Sequence, residues 1–186
     1  MMIGSRERSH RKSMLPARFP VAVVIERVAL SNRWANEQWH VAAVERDDSP
    51  RYPPVRIVDD ATRTCWRFTG LSMELHLSES EGYYLNITSP DPKVFVMWRM
   101  ADSPAADAEH PGAFPVLVTV SYNEAARLLD GGEQVDATPL SAEMLAWMQP
   151  FVDANYRPEP KRKVRRNELY EGDQPGGRNA SNKRVP

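Results

Sequence analysis

Cysteine is nearly absent from this chain: Cys65 stands alone among 186 residues, so no internal disulfide can form. A lone thiol fits a reducing compartment. No apolar run approaches the ~20 residues that cross a bilayer as a helix, so no membrane span is expected. Met1 to Arg18 is basic and polar and lacks the apolar stretch of a secretory signal, which makes the cytoplasm the expected location. Histidine is also scarce: His10, His40, His76 and His110 are scattered singly. The chain holds no CxxC, HxxxH or HExxH spacing for a metal. It has no GxxxxGKS or GxGxxG loop for a phosphate, and no GxSxG nucleophile elbow. Catalytic residues, metal ligands and cofactors are therefore all expected to be none, and the chain is read as a non-enzyme.

What the chain does have is charge sorted by position. Residues 1–18 carry five Lys/Arg against one acid, and residues 157–186 carry nine against four. Between them, residues 19–156 hold ten basic and twenty acidic side chains. Net charges of +4, −10 and +5 thus hide inside a total of −1. Such sorting speaks to association and solubility, not to fold. It divides the chain into a basic N-terminal extension (1–18), one folded domain (19–156) and a basic, Gly/Pro/Asn-rich tail (157–186) expected to be disordered.

Within 19–156 the apolar pattern predicts strands first. Phe19 to Ile25 is dense in β-branched residues, and a second strand begins near Gln38. Ser49 to Pro54 is too proline-rich for a sheet interior. Strands are then predicted at Val55–Val58, Thr64–Thr69, Ser72–Ser78, Tyr83–Thr88, Val94–Arg99 and Phe114–Val120, with Gly70 marking a turn or bulge. Helical periodicity follows. Ser121-x-x-Glu124 has capping-box spacing, and Gly131-Gly132 is a stop. Ser141 caps a second helix whose stripe Met144, Trp147, Met148, Phe151, Val152 continues past Pro150. The expected class is α+β: a curved antiparallel sheet or open barrel of about six to seven strands followed by two C-terminal helices.

Candidate chemistry is thin. His40, Cys65 and His76 could converge on neighbouring strands, but a reactive thiol also needs an accessible, electropositive setting. The acid pairs Asp47-Asp48, Asp59-Asp60 and Glu79 with Glu81 read as solvated surface. Asn86-Ile87-Thr88 matches a glycosylation sequon without a signal segment to make it meaningful. Trp34 and Trp39, five apart across a strand start, are either core aromatics around a turn or an aromatic contact site. Lys161, Arg162, Lys163, Arg165 and Arg166 form the one dense charge cluster and are the candidate docking element, with Trp34 and Trp39 as candidate anchors.

The order of segments resembles an uncharacterised proteobacterial family catalogued as a conserved domain of unknown function. The resemblance opens with Phe19-Pro20-Val21-Ala22-Val23-Val24-Ile25-Glu26-Arg27, Trp34 and Trp39. It runs on through Leu75-His76, Tyr84-Leu85-Asn86-Ile87-Thr88-Ser89-Pro90 and Val94-Phe95-Val96-Met97-Trp98-Arg99. Val118-Thr119-Val120-Ser121, Glu124-Ala125-Ala126, Leu129-Asp130, Val135, Pro139-Leu140 and the basic run Lys161 to Arg166 complete it, about residues 19–166. Genes of that family often neighbour formate dehydrogenase genes and molybdenum-cofactor functions, so the resemblance implies an accessory protein without a cofactor of its own. It brings no catalytic residue to carry over.

Three functions follow as expectations. The first is a non-enzymatic accessory or assembly factor for a molybdenum-dependent formate dehydrogenase. Its partner would be an acidic protein surface on that enzyme or on its maturation factors. The second is a small-ligand module taking a nucleotide or pterin in the mouth of the β-structure. The third is a nucleic-acid-associated protein using its basic ends, against which stand the acidic body and the lack of a reading motif. The third predicts steeply salt-dependent DNA or RNA binding that is lost when residues 157–186 are removed. No binding at low salt would dispose of it.

Overall fold

The computed structural model describes residues 17–31, 35–102 and 110–158. Thirteen residues from Ala17 to Ala29 form β1, the β-branched run of the sequence prolonged at both ends. It is flanked by β2 (Glu37–Arg46) and β4 (Arg63–Leu75), both antiparallel to it, and β4 is flanked by the short edge strand β3 (Val55–Asp59). The sheet order is β2-β1-β4-β3. A second antiparallel sheet, β6-β5-β7, is built from β5 (Lys93–Met100), β6 (Ala113–Thr119) and β7 (Gln134–Pro139). Three helices complete the fold: α1 (Ser80–Ile87), α2 (Tyr122–Asp130) and α3 (Ala142–Asn155).

The α+β class agrees with expectation, and the seven strands among the described residues fall within the expected number, but the arrangement differs. Two unclosed sheets stand where one curved sheet or open barrel was expected. The predicted strand 64–69 and residues 72–75 of the predicted strand 72–78 are one strand, β4, which crosses Gly70 with φ 71° at a register shift against β1, while Leu77 and Ser78 belong to a short 3-10 turn. Gly70 is thus a bulge, not a turn. The predicted strand 83–88 is helix α1. Its composition favours a strand, but Tyr83 and Asn86 are buried at helical spacing, and packing overrides the local preference. β7 was not predicted, and it separates α2 from α3, so the helices do not simply follow the strands.

Both helix starts obey the capping expectation. Ser141 Oγ accepts from Met144 N at 3.2 Å, and Ser121 Oγ accepts from Glu124 N at 3.1 Å. The box at Ser121 is only half formed, since Ser121 N donates to Thr119 Oγ1 at 3.1 Å. α2 ends over Gly132, whose φ of 82° supplies the left-handed stop. α3 runs unbroken through Pro150, and its stripe is core: Met144, Met148 and Val152 are fully buried.

One hydrophobic cluster unites the sheets and helices. Val21, Val23 and Ile25 of β1 meet Val94, Val96 and Trp98 of β5, with Met144, Met148 and Val152 of α3. Each such side chain taken out of water contributes about 1.5–3 kcal/mol. α3 packs at the end where β1 begins: Phe19 lies 5.2 Å from Trp147, and Arg46 at the end of β2 pairs with Glu143. α1 joins it there through Tyr83–Phe151 and Tyr84–Tyr156 ring contacts. The Tyr83 hydroxyl accepts from His76 N and donates to Glu74 O, and burial pushes the phenol up to about 12. It therefore keeps its proton, and its role as donor, throughout the neutral range.

The junction of α1 with the second sheet rests on one buried side chain. Asn86 Oδ1 accepts from Lys93 N at 2.9 Å, while Nδ2 donates to Lys93 O at 2.7 Å and to Val120 O at 2.8 Å. One amide thus binds the start of β5 and the end of β6 to the helix. Asn86→Ala should destabilise the protein by about 3 kcal/mol in urea denaturation, because buried backbone groups lose their partners. A loss below about 1 kcal/mol would show that water replaces the amide.

Candidate functional site

Most residues singled out in the sequence lie outside the described region: Trp34, Lys161, Arg162, Lys163, Arg165 and Arg166 all do. Trp39 is described and half-buried on β2. Its ring stacks on Trp66 at 5.4 Å and 22°, and its Nε1 donates to Glu37 Oε1 at 2.9 Å. It also lies over the glycine of the 110–113 turn: a Cβ on Gly112 would stand 2.8 Å from Trp39 Cζ2. Trp39 therefore joins β2 of the first sheet to the approach of β6 in the second.

His40 and Cys65 do not lie on neighbouring strands: they flank Glu26 of the middle strand from opposite sides. His40 Nε2 is 3.1 Å from Glu26 Oε2. Burial, then the charge of Glu26, pushes the Cys65 thiol up, which keeps it protonated and poorly nucleophilic. His76 lies at the far end of β4, beside Glu74. Among the described residues no group of three His, Cys, Asp or Glu is placed to hold a metal ion.

Three of the acids read as solvated surface are structural. Asp60 accepts from Thr62 N and Oγ1 and from Arg63 N at 2.7–2.9 Å, closing the β3–β4 turn, and these bonds hold its carboxyl down at about 2. Asp47 is buried, not solvated. It accepts from Ser49 N at 2.8 Å and meets Arg67 Nη1 at 3.0 Å, and those contacts lower its carboxyl. Glu79 accepts from Ser121 Oγ at 2.6 Å and pairs with Arg127 at 2.7 Å, tying α1 to α2.

A recess does form where the sequence offered no motif. The two sheets meet along two seams without a hydrogen-bonded ladder across either. At one, β2 lies beside β7, and Val41 N donates to Asp136 Oδ2 at 2.7 Å. At the other, β4 lies beside β6, and a cleft of about 300 Å³ opens there. Its floor is Phe68 and Leu71 of β4, both packed on the core. One wall is the proline-rich segment with Arg51, Tyr52 and Pro54; the other is His110, Pro111, Phe114 and Pro115. Tyr52 and Phe114 remain 59% and 41% exposed at the rim.

The first wall is fixed by two adjacent residues of β4. Thr69 Oγ1 donates to Pro50 O at 3.0 Å and accepts from Tyr52 N at 3.3 Å. At Gly70 the Arg51 backbone passes so close that any Cβ would overlap it. The Ser49–Pro54 composition and Gly70 were the visible signals. The cleft itself was not legible, because its parts come from three segments that only the fold brings together. Chemically it offers aromatic faces, proline rings, one guanidinium and one imidazole, the furniture of a binding recess.

Two unclosed antiparallel sheets with three helices define the chain as a two-sheet α+β protein. It belongs to the family described as "Protein of unknown function (DUF3305)", whose model matches residues 20–165. That span coincides with the segments 19–166 on which the sequence resemblance was drawn. No curated protein and no solved structure gave a significant match.

Gly70→Ala should lift residues 50–54 off β4 and cost about 1–3 kcal/mol, from left-handed strain and overlap with Arg51. Thr69→Val, which removes two hydrogen bonds at an exposed site, should cost about 1 kcal/mol. Urea denaturation of both variants measures this. An unchanged Gly70→Ala protein would show that the Arg51 backbone can move away freely.

Proposed function

We propose that this chain is a non-enzymatic accessory or assembly factor associated with a molybdenum-dependent formate dehydrogenase, and that it acts by binding. The observation that carries the binding mode is the cleft between β4 and β6, an aromatic and proline-lined recess held in shape by Thr69 and Gly70. The tie to formate dehydrogenase comes from the family resemblance. The basic cluster Lys161–Arg166 supplies a docking element of opposite sign to the acidic body, suited to an acidic surface on the enzyme or its maturation factors. Deleting the gene in its native host should lower formate dehydrogenase activity, and full-length protein should restore it. Co-purification with and without residues 157–186 should place the partner on the tail. Unchanged activity in the deletion strain would sink the proposal.

The cleft also favours a second reading, a module that binds a small ligand such as a nucleotide or pterin. A volume of about 300 Å³ falls at the lower end for ligand pockets. Thermal-shift measurements with guanine nucleotides and anionic pterins test this, and a flat response across the panel counts against it.

A further inference from the structure

We infer that the β4–β6 cleft selects planar aromatic anions, with Arg51 as the group that recognises the charge; this rests on the small-ligand reading above. The first ground is the charge of the lining. Residues 19–156 hold twenty acids against ten bases, yet among the described residues no Asp or Glu lines the cleft. A recess in an acidic body whose described lining presents a guanidinium and no carboxylate is matched to an anion.

The second ground is the state of that guanidinium. Arg18, Arg27, Arg63, Arg67, Arg99 and Arg127 each face a carboxylate of their own sheet or a neighbouring element. Arg51 has no carboxylate partner among the described residues, and it stands on the cleft wall. Its main chain is pinned against Gly70 and flanked by the two Thr69 hydrogen bonds, so the cation is carried on a fixed support. Its planar fork of donors matches a carboxylate or a phosphate bidentately.

The third ground is the aromatic content. Tyr52 and Phe114 come from opposite walls and Phe68 from the floor. A flat heterocycle can contact ring faces there while its anionic group reaches the rim. Phosphate and carboxylate satisfy the same fork geometry, so the shared chemistry is a planar ring bearing either group.

The test titrates full-length protein calorimetrically with guanosine 5′-monophosphate, pterin-6-carboxylate, uncharged guanosine and inorganic phosphate. Wild type is compared with Arg51→Gln, an exposed change that leaves the fold intact, and with Tyr52→Ala. At least one aromatic anion should bind about tenfold or more tighter than guanosine. Which of the two does so separates a phosphate from a carboxylate ligand. Arg51→Gln should erase that preference while keeping guanosine binding, and Tyr52→Ala should weaken all the aromatic probes. If guanosine binds as tightly as the anions, or Arg51→Gln changes nothing, anion selection is overturned while a ligand cleft remains. If inorganic phosphate binds as tightly as the aromatic anions, the aromatic part falls. If none of the probes binds, both this inference and the small-ligand reading fall.

Discussion

The side-chain amide of Asn86 is the contact on which the rest of the arrangement depends. It sits in α1, the helix that separates the two sheets in the chain, and it satisfies backbone groups at Lys93 and Val120. An alanine there would leave buried peptide groups bare, and an aspartate would keep the acceptor while losing both donated bonds. Around it the helices close one end of the β-structure, with Tyr83 held between His76 N and Glu74 O, and Glu79 bridging Ser121 and Arg127. The sequon at Asn86-Ile87-Thr88 has no meaning in this setting, because its amide nitrogen already donates two buried hydrogen bonds.

The elements that were legible in the sequence are those whose signal is local. The β-branched run of β1, the serine caps before α2 and α3, the glycine stop after α2 and the Met/Val stripe of α3 are set by residues within a few positions of one another. α1 was misjudged because Tyr83-Tyr84-Leu85 carries strand propensity, while the burial that makes it a helix comes from α3 and from the distant Val120 carbonyl. β7 was missed because Gln134–Pro139 is short, half exposed and without a clear alternation; its pairing with β5 is what defines it. The Gly70 bulge was half visible. A glycine announces backbone freedom, but it is the pairing with β1 on both sides of Gly70 that makes a bulged continuous strand instead of a turn.

The candidate site was less legible still. Of the candidate anchors and docking residues, Trp39 is described and packs between the sheets; Trp34 and the basic cluster lie outside the described residues. The cleft draws on residues 51–54, 68–71 and 110–115, which share no spacing rule. Composition recorded an acidic body but not that the arginines of the sheets are matched to carboxylates one by one. That matching leaves Arg51 distinctive, and a net charge cannot display it.

The two seams are unlike, and that asymmetry has a mechanical consequence. Strands within each sheet are zipped by ladders, so separating them breaks many hydrogen bonds together. The sheets themselves are joined by side chains: Asp136 to Val41 N on one side, and the walls of the cleft on the other. The molecule is thus two laddered sheets on one shared core, and a change in their spacing would break no ladder hydrogen bond. Such a change would alter the width of the cleft without unravelling either sheet. Anything that bridges the β4–β6 gap acts as a strut between the sheets, so occupancy of that gap and rigidity of the whole domain become a single variable.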